Sequence, residues 1–142
     1  MVDGTQALPA EDCACNSEED LGMRVLVYGG RDFTRTTTAY RALDALHKKI
    51  GIDVVIEGDA RGADRIAGFW ARKNQIENRK FPIKQIEWNL YGAAAGPIRN
   101  QKMLDEGKPE YAVEFPGGRG TADMATRLEK AGIEIYRPLG DA

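Results

Sequence analysis

Arg24–Val25–Leu26–Val27–Tyr28–Gly29–Gly30–Arg31–Asp32–Phe33 carries the first clear structural signal of the chain. Its first half is a short, continuous run rich in β-branched and aromatic residues, which predicts a buried strand closed by Gly29–Gly30. A strand apolar on both sides requires cover on both faces of its sheet. The cover follows in the chain. Thr36 to Ile50 has helical spacing, with Tyr40, Leu43, Leu46 and Ile50 on one stripe and Gly51 as its end. Asp53–Val54–Val55–Ile56–Glu57 reads as a second strand, again closed by glycine. From Gly62 a second helix places Ala63, Ile66, Ala67, Trp70 and Ala71 on one face.

Farther out the pattern repeats. A third strand is expected around Asn78 to Phe81, and Pro82 to Gly96 reads as a long loop. A helix opens at Gly96–Pro97, with Pro97 suited to its first turn. Tyr111 to Phe115 reads as a fourth strand, Thr121 to Ala131 as a helix and Ile133 to Tyr136 as a fifth strand. This alternation predicts a Rossmann-like three-layer α/β sandwich around a mainly parallel sheet of about five strands. In such sheets ligands bind beyond the carboxyl ends of the strands.

Outside that frame lie residues 1–22, which carry six acids and no Lys or Arg and show no apolar periodicity. They are expected to be a flexible acidic extension, with one nucleotide-binding domain over 23–142. The whole chain of 142 residues has a net charge of −2, so the remainder holds 16 acids against 20 bases, a net of +4. A mildly basic body suits a small anionic ligand and lacks the dense basic stripe expected of a nucleic-acid binder. No apolar run is long enough for a membrane helix, and no secretory pattern opens the chain, so a cytoplasmic location is expected. Cys13 and Cys15 are too close for an ordinary disulfide, and two thiols do not complete a zinc site. His47, the only histidine, borders a helix stripe remote from the glycine loops, which excludes Ser-His-Asp catalysis and histidine-rich metal sites. Neither a metal nor a cofactor is expected.

Three strand-to-helix junctions combine glycine with arginine. They are Gly29 to Phe33, Gly58–Asp59–Ala60–Arg61–Gly62–Ala63–Asp64, and Pro116–Gly117–Gly118–Arg119–Gly120–Thr121. Glycine lets backbone approach a ligand closely. A helix amino end presents unpaired N–H groups and a positive dipole end, and arginine adds a bidentate fork for phosphate oxygens. A single loop of this kind would be read as a tight turn. Three at one sheet edge point to phosphate binding.

The loop Pro116 to Thr121 resembles the PGGxGT signature of the SLOG superfamily, which includes the lonely-guy phosphoribohydrolases, the DNA-processing protein DprA and YspA-like proteins. Val27 to Phe33, Gly58 to Asp64 and Ala95–Gly96–Pro97–Ile98–Arg99–Asn100–Gln101 are most similar to the YspA-like branch, and the resemblance runs from about Met23 to Pro138. It implies a Rossmann-like nucleotide-binding fold and, in many members, a homodimer. The ligand-binding residues expected on this basis are Gly29, Gly30, Arg31, Asp32 and Phe33; Gly58, Asp59, Arg61, Gly62 and Asp64; Arg99 and Asn100; and Gly117, Gly118, Arg119, Gly120 and Thr121. Asp64 is a candidate acceptor for a ribose hydroxyl or a partner for its own helix start. Phe33 and Trp88, expected in loops, are candidates for stacking on a base.

In the lonely-guy enzymes an arginine on the preceding helix and a glutamate three residues after the threonine assist cleavage of an N-glycosidic bond. Arg99, four residues before Met103, resembles that arginine, but Met124 stands in the glutamate position. Methionine transfers no proton. Asp123 is adjacent, yet one residue along a helix turns a side chain by about 100°, and Asp123 is equally suited to an ion pair with Arg127. The leading expectation is a module that senses or sequesters a nucleotide or nucleotide-derived small molecule. The alternative is a nucleoside-monophosphate phosphoribohydrolase using Arg99 and Asp123. Nucleic acid is not the expected partner, nor is a membrane.

Overall fold

The computed structural model describes residues 23–140. The acidic extension and the two cysteines lie outside the described residues. Five strands, β1 (Met23–Tyr28), β2 (Ile52–Glu57), β3 (Glu77–Lys80), β4 (Tyr111–Glu114) and β5 (Ile135–Tyr136), form one sheet in the order β3-β2-β1-β4-β5. Every neighbouring pair is parallel. The helices are α1 (Thr36–Ile50), α2 (Ala63–Lys73), α3 (Gln85–Tyr91), α4 (Ala95–Gly107) and α5 (Arg119–Lys130).

The side-chain alternation of β1 builds both cores. Val25 and Val27 point to one face, where they pack with Leu43 and Leu46 of α1 and with Ala67 and Trp70 of α2. Leu26 and Tyr28 point to the other, with Met103 of α4 and Met124 and Leu128 of α5. Full burial of each such aliphatic side chain contributes roughly 1.5–3 kcal/mol. The chain winds outward from β1 through β2 to β3, then returns through α3 and α4 to β4 on the opposite side of β1. That reversal places α1 and α2 on one face and α4 and α5 on the other. It also makes the gap beyond the ends of β1 and β4 the topological switch point of the sheet.

The strands and the long helices agree with expectation to within one or two residues at their ends. The segment expected to be a long loop differs: it contains α3 and a 3-10 turn over Gly92–Ala94. Helix α3 buries none of its residues, so it carries no inward apolar stripe that periodicity could detect. Its start is secured instead by the Glu87 carboxylate, which accepts a hydrogen bond from the Lys84 amide at 2.7 Å. Trp88 accordingly sits on a helix. His47 also has a structural role, its Nδ1 accepting the Ile52 amide at 2.9 Å to close the turn from α1 into β2.

Candidate functional site

The loops after β1 and β4 meet at the switch point. The Gly30 amide donates to the Pro116 carbonyl at 3.0 Å, and the Gly30 carbonyl accepts the Ala63 amide at 3.2 Å, which joins both loops to the start of α2. The approach is close enough to demand glycine. A Cβ on Gly30 would lie 2.9 Å from the Gly117 Cα, and one on Gly117 would collide with the Thr121 hydroxyl.

Above this junction opens a cleft of about 610 Å³. Gly29, Gly30 and Arg31 form its floor, and Gly118, Arg119, Gly120 and Thr121 form one wall. Trp88, Pro97, Arg99 and Asn100 face them from α3 and α4, and Asp64 enters from α2. No side chain caps α5 and no acid occupies its first turn, so the positive end of the helix is directed at the cleft without a counter-charge of its own. Arg119 adds a cation there. Thr121 is buried, at 6% exposure, and its hydroxyl has no hydrogen-bond partner among the described residues.

The loop after β2 is arranged differently. The Asp64 carboxylate accepts the amides of Gly58, at 3.1 Å, and Ala60, so the amides that sequence reasoning aimed at phosphate are turned onto the chain's own acid. Burial pushes the Asp64 pKa up to about 7, against the pull of the nearby Arg99 guanidinium. Burial likewise lowers the pKa of Arg99, partly offset by Asp64, and repulsion from Arg31 lowers it further. Arg99 is held by the carbonyls of Gly58 at 2.7 Å and Phe81 at 3.3 Å.

Asn100 links α4 to α5: its amide donates to the Asp123 carboxylate at 3.0 Å and to the Gly120 carbonyl at 3.3 Å. Asp123 also receives Arg127 Nε at 2.8 Å, the i,i+4 pair the sequence anticipates. Partial burial tends to raise its pKa, but hydrogen bonds from Arg127 and Asn100 together outweigh that and hold it below the ordinary aspartate value. Met124 belongs to the core, 1% exposed among Leu26, Tyr28 and Leu128.

Other anticipated residues fall away from the main cleft. Phe33 is buried and stacks on Phe115 with ring centroids 5.0 Å apart, so its ring is core and is not presented for stacking on a base. Asp32 is exposed and paired with Arg61 at 3.1 Å. Gly62 precedes α2 as its N-cap. Gly58, Asp59 and Arg61 line a smaller compartment beside the cleft, together with Arg65, which sequence reasoning missed. Its signal was a cation in the first turn of a helix, where the dipole disfavours it. Among the described residues no group of three or more His, Cys, Asp or Glu side chains is placed to hold a metal ion. No helix among them is long and apolar enough to cross a membrane.

A doubly wound parallel sheet with a glycine-lined crevice at its switch point defines a Rossmann-like α/β domain. The profile described as the YspA, cpYpsA-related SLOG family matches residues 23–89. The "Gene 61 protein" of Mycobacterium phage D29 is 38% identical over 123 residues, an alignment that covers 83% of this chain and 97% of the phage protein. The chain belongs to the SLOG superfamily. Among solved structures it is similar to DNA processing protein A (DprA) from Streptococcus pneumoniae, with 15% identity and a TM-score of 0.45 over 80% of this chain; it spans 58% of the DprA chain.

Proposed function

We propose that this protein binds a nucleotide or nucleotide-derived small molecule in the cleft between β1 and β4, as a sensing or sequestering module, with a phosphate seated on the amino end of α5. The observation that carries this reading is the Thr121 hydroxyl, buried and unpartnered at the wall of the cleft. A buried polar group without a partner costs stability, and a phosphate oxygen would satisfy it. The same phosphate would accept the first-turn amides of α5 and the Arg119 guanidinium. Trp88, half-buried at the cleft wall, is the aromatic surface available to a base.

Cleavage of an N-glycosidic bond is the weaker reading. Met124 supplies no proton, and Asp123 is held in its ionised form by Arg127 and Asn100, which removes it as a general acid near neutrality. Isothermal titration with the four common nucleoside 5′-monophosphates tests binding, and chromatography of the same mixtures tests cleavage. Saturable binding with intact nucleotide recovered is expected. Arg119→Gln and Thr121→Val should each weaken it about ten- to a hundredfold, the range for a charge-assisted hydrogen bond. Release of free base would overturn the binding-module reading, and absence of binding at millimolar nucleotide would overturn the site.

A further inference from the structure

Beside the main cleft lies a second compartment of about 290 Å³, at the lower edge of the size of ligand pockets and suited to part of a ligand rather than the whole. It shares Arg31, Ala60, Ile83, Trp88 and Arg99 with the cleft, so one molecule can occupy both. We propose that this compartment is a second phosphate subsite formed by Arg31, Arg61, Arg65 and Arg99, and that the ligand is a nucleotide carrying two phosphates held apart by its sugar. The proposal rests on the nucleotide-binding reading of the cleft and adds the class of ligand.

Charge is the first ground. Four arginines line the compartment against one acid, Asp59, whose carboxylate is already shared by Arg65 at 3.5 Å and Lys80 at 3.3 Å. Arg31 has no acidic partner among the described residues. Its guanidinium lies 5.9 Å from the Trp88 ring centroid and repels that of Arg99. Two guanidinium groups that repel each other in a partly dry site are relieved by an anion between them.

Preorganisation is the second. Arg61 Nε donates to the Arg31 carbonyl at 3.2 Å, Arg65 Nε to the Asp59 carbonyl at 3.2 Å, and Arg99 Nη1 to the Gly58 carbonyl at 2.7 Å. Each guanidinium is thus fixed by backbone, and each has further N–H groups for phosphate oxygens. The competing Arg61–Asp32 pair is 71% and 97% exposed, an ion pair weak enough to exchange for a phosphate.

The test titrates the full chain with pairs of compounds that differ by one phosphate: each nucleoside 5′-monophosphate against its 3′,5′-bisphosphate, and NAD against NADP. In at least one pair the more phosphorylated member should bind at least about tenfold more tightly. In Arg61→Gln/Arg65→Gln that ratio should fall to about one, whereas Arg119→Gln should weaken both members. Both substituted side chains of the double variant are exposed, and an unchanged thermal melt would show that the fold is kept. If monophosphates bind and the second phosphate adds nothing, or its advantage survives the double substitution, the subsite is overturned and the cleft reading stands. If no compound of any pair binds, both fall together.

Discussion

Asp64 accepts two backbone amides, lies near Arg99 and is almost wholly buried, and burial prevails in setting its pKa of about 7. Because this is above the ordinary value of 3.8, the folded state retains a proton that the unfolded chain has lost. The contribution of Asp64 to stability is therefore complete below that ordinary value and is lost as pH rises to about 7, a change on the order of 4 kcal/mol. Buried Glu57, also raised by burial, acts in the same direction, so the two must be separated by substitution. In urea unfolding between pH 4.5 and 8, wild-type protein should lose stability with rising pH more steeply than Asp64→Asn. Parallel profiles would show that Asp64 does not titrate in this window. Asp123 has the opposite sign, adding stability that is lost as pH falls through its depressed pKa. The type and position of Asp64 were legible in the sequence, as a residue at a helix start beside a glycine loop. That it would turn the Gly58 and Ala60 amides onto itself was not, because the folding back of that loop is set by three-dimensional contacts. The same limit applies to Phe33: its place after Gly30 suggests an exposed loop, and its burial depends on distant residues such as Phe115, brought beside it by pairing of β1 with β4.

Two loop glycines carry the junction between the elements. An added methyl on Gly117 would meet the Thr121 hydroxyl and would lie 2.6 Å from the Gly30 amide nitrogen, so the loops after β1 and β4 would have to separate. Gly117→Ala should destabilise the fold by about 1–3 kcal/mol, the usual cost of overpacking, and should abolish the heat of nucleotide binding. An unchanged denaturation midpoint would contradict the close approach. Elements with an inward stripe were readable from sequence. Val25 and Val27 against Leu26 and Tyr28 in β1, and Ala67 with Trp70 in α2, mark buried faces that local periodicity reports directly. Helix α3 was not readable. Ile86 and Leu90, four residues apart, form a stripe on its outer side, 62% and 68% exposed, and Pro82 and Gly96 at its borders suggest a loop.

For the molecule as a whole, alternating strands and helices sufficed to imply a parallel sheet, because parallel neighbours need helical crossovers. The order β3-β2-β1-β4-β5 was not in that pattern, since local periodicity does not record on which side of β1 a returning strand is added. That order gives the glycine loops their meaning. It makes the loops after β1 and β4 neighbours at the switch point and places the Arg61 and Arg65 cluster to one side, so the three similar-looking junctions of the sequence have three different settings: a floor, a self-satisfied turn flanked by arginines, and an open helix end. On the proposed reading, the open end of α5 receives the phosphate. Backbone amide resonances of 15N-labelled protein, followed during titration with a nucleoside 5′-monophosphate, report on that seat residue by residue. The amides of Gly118, Arg119, Gly120 and Thr121 should shift progressively and saturate together, while those around His47, at the far end of the sheet, stay fixed. Shifts confined to other parts of the chain, or none at millimolar nucleotide, would rule out a phosphate seat at the amino end of α5.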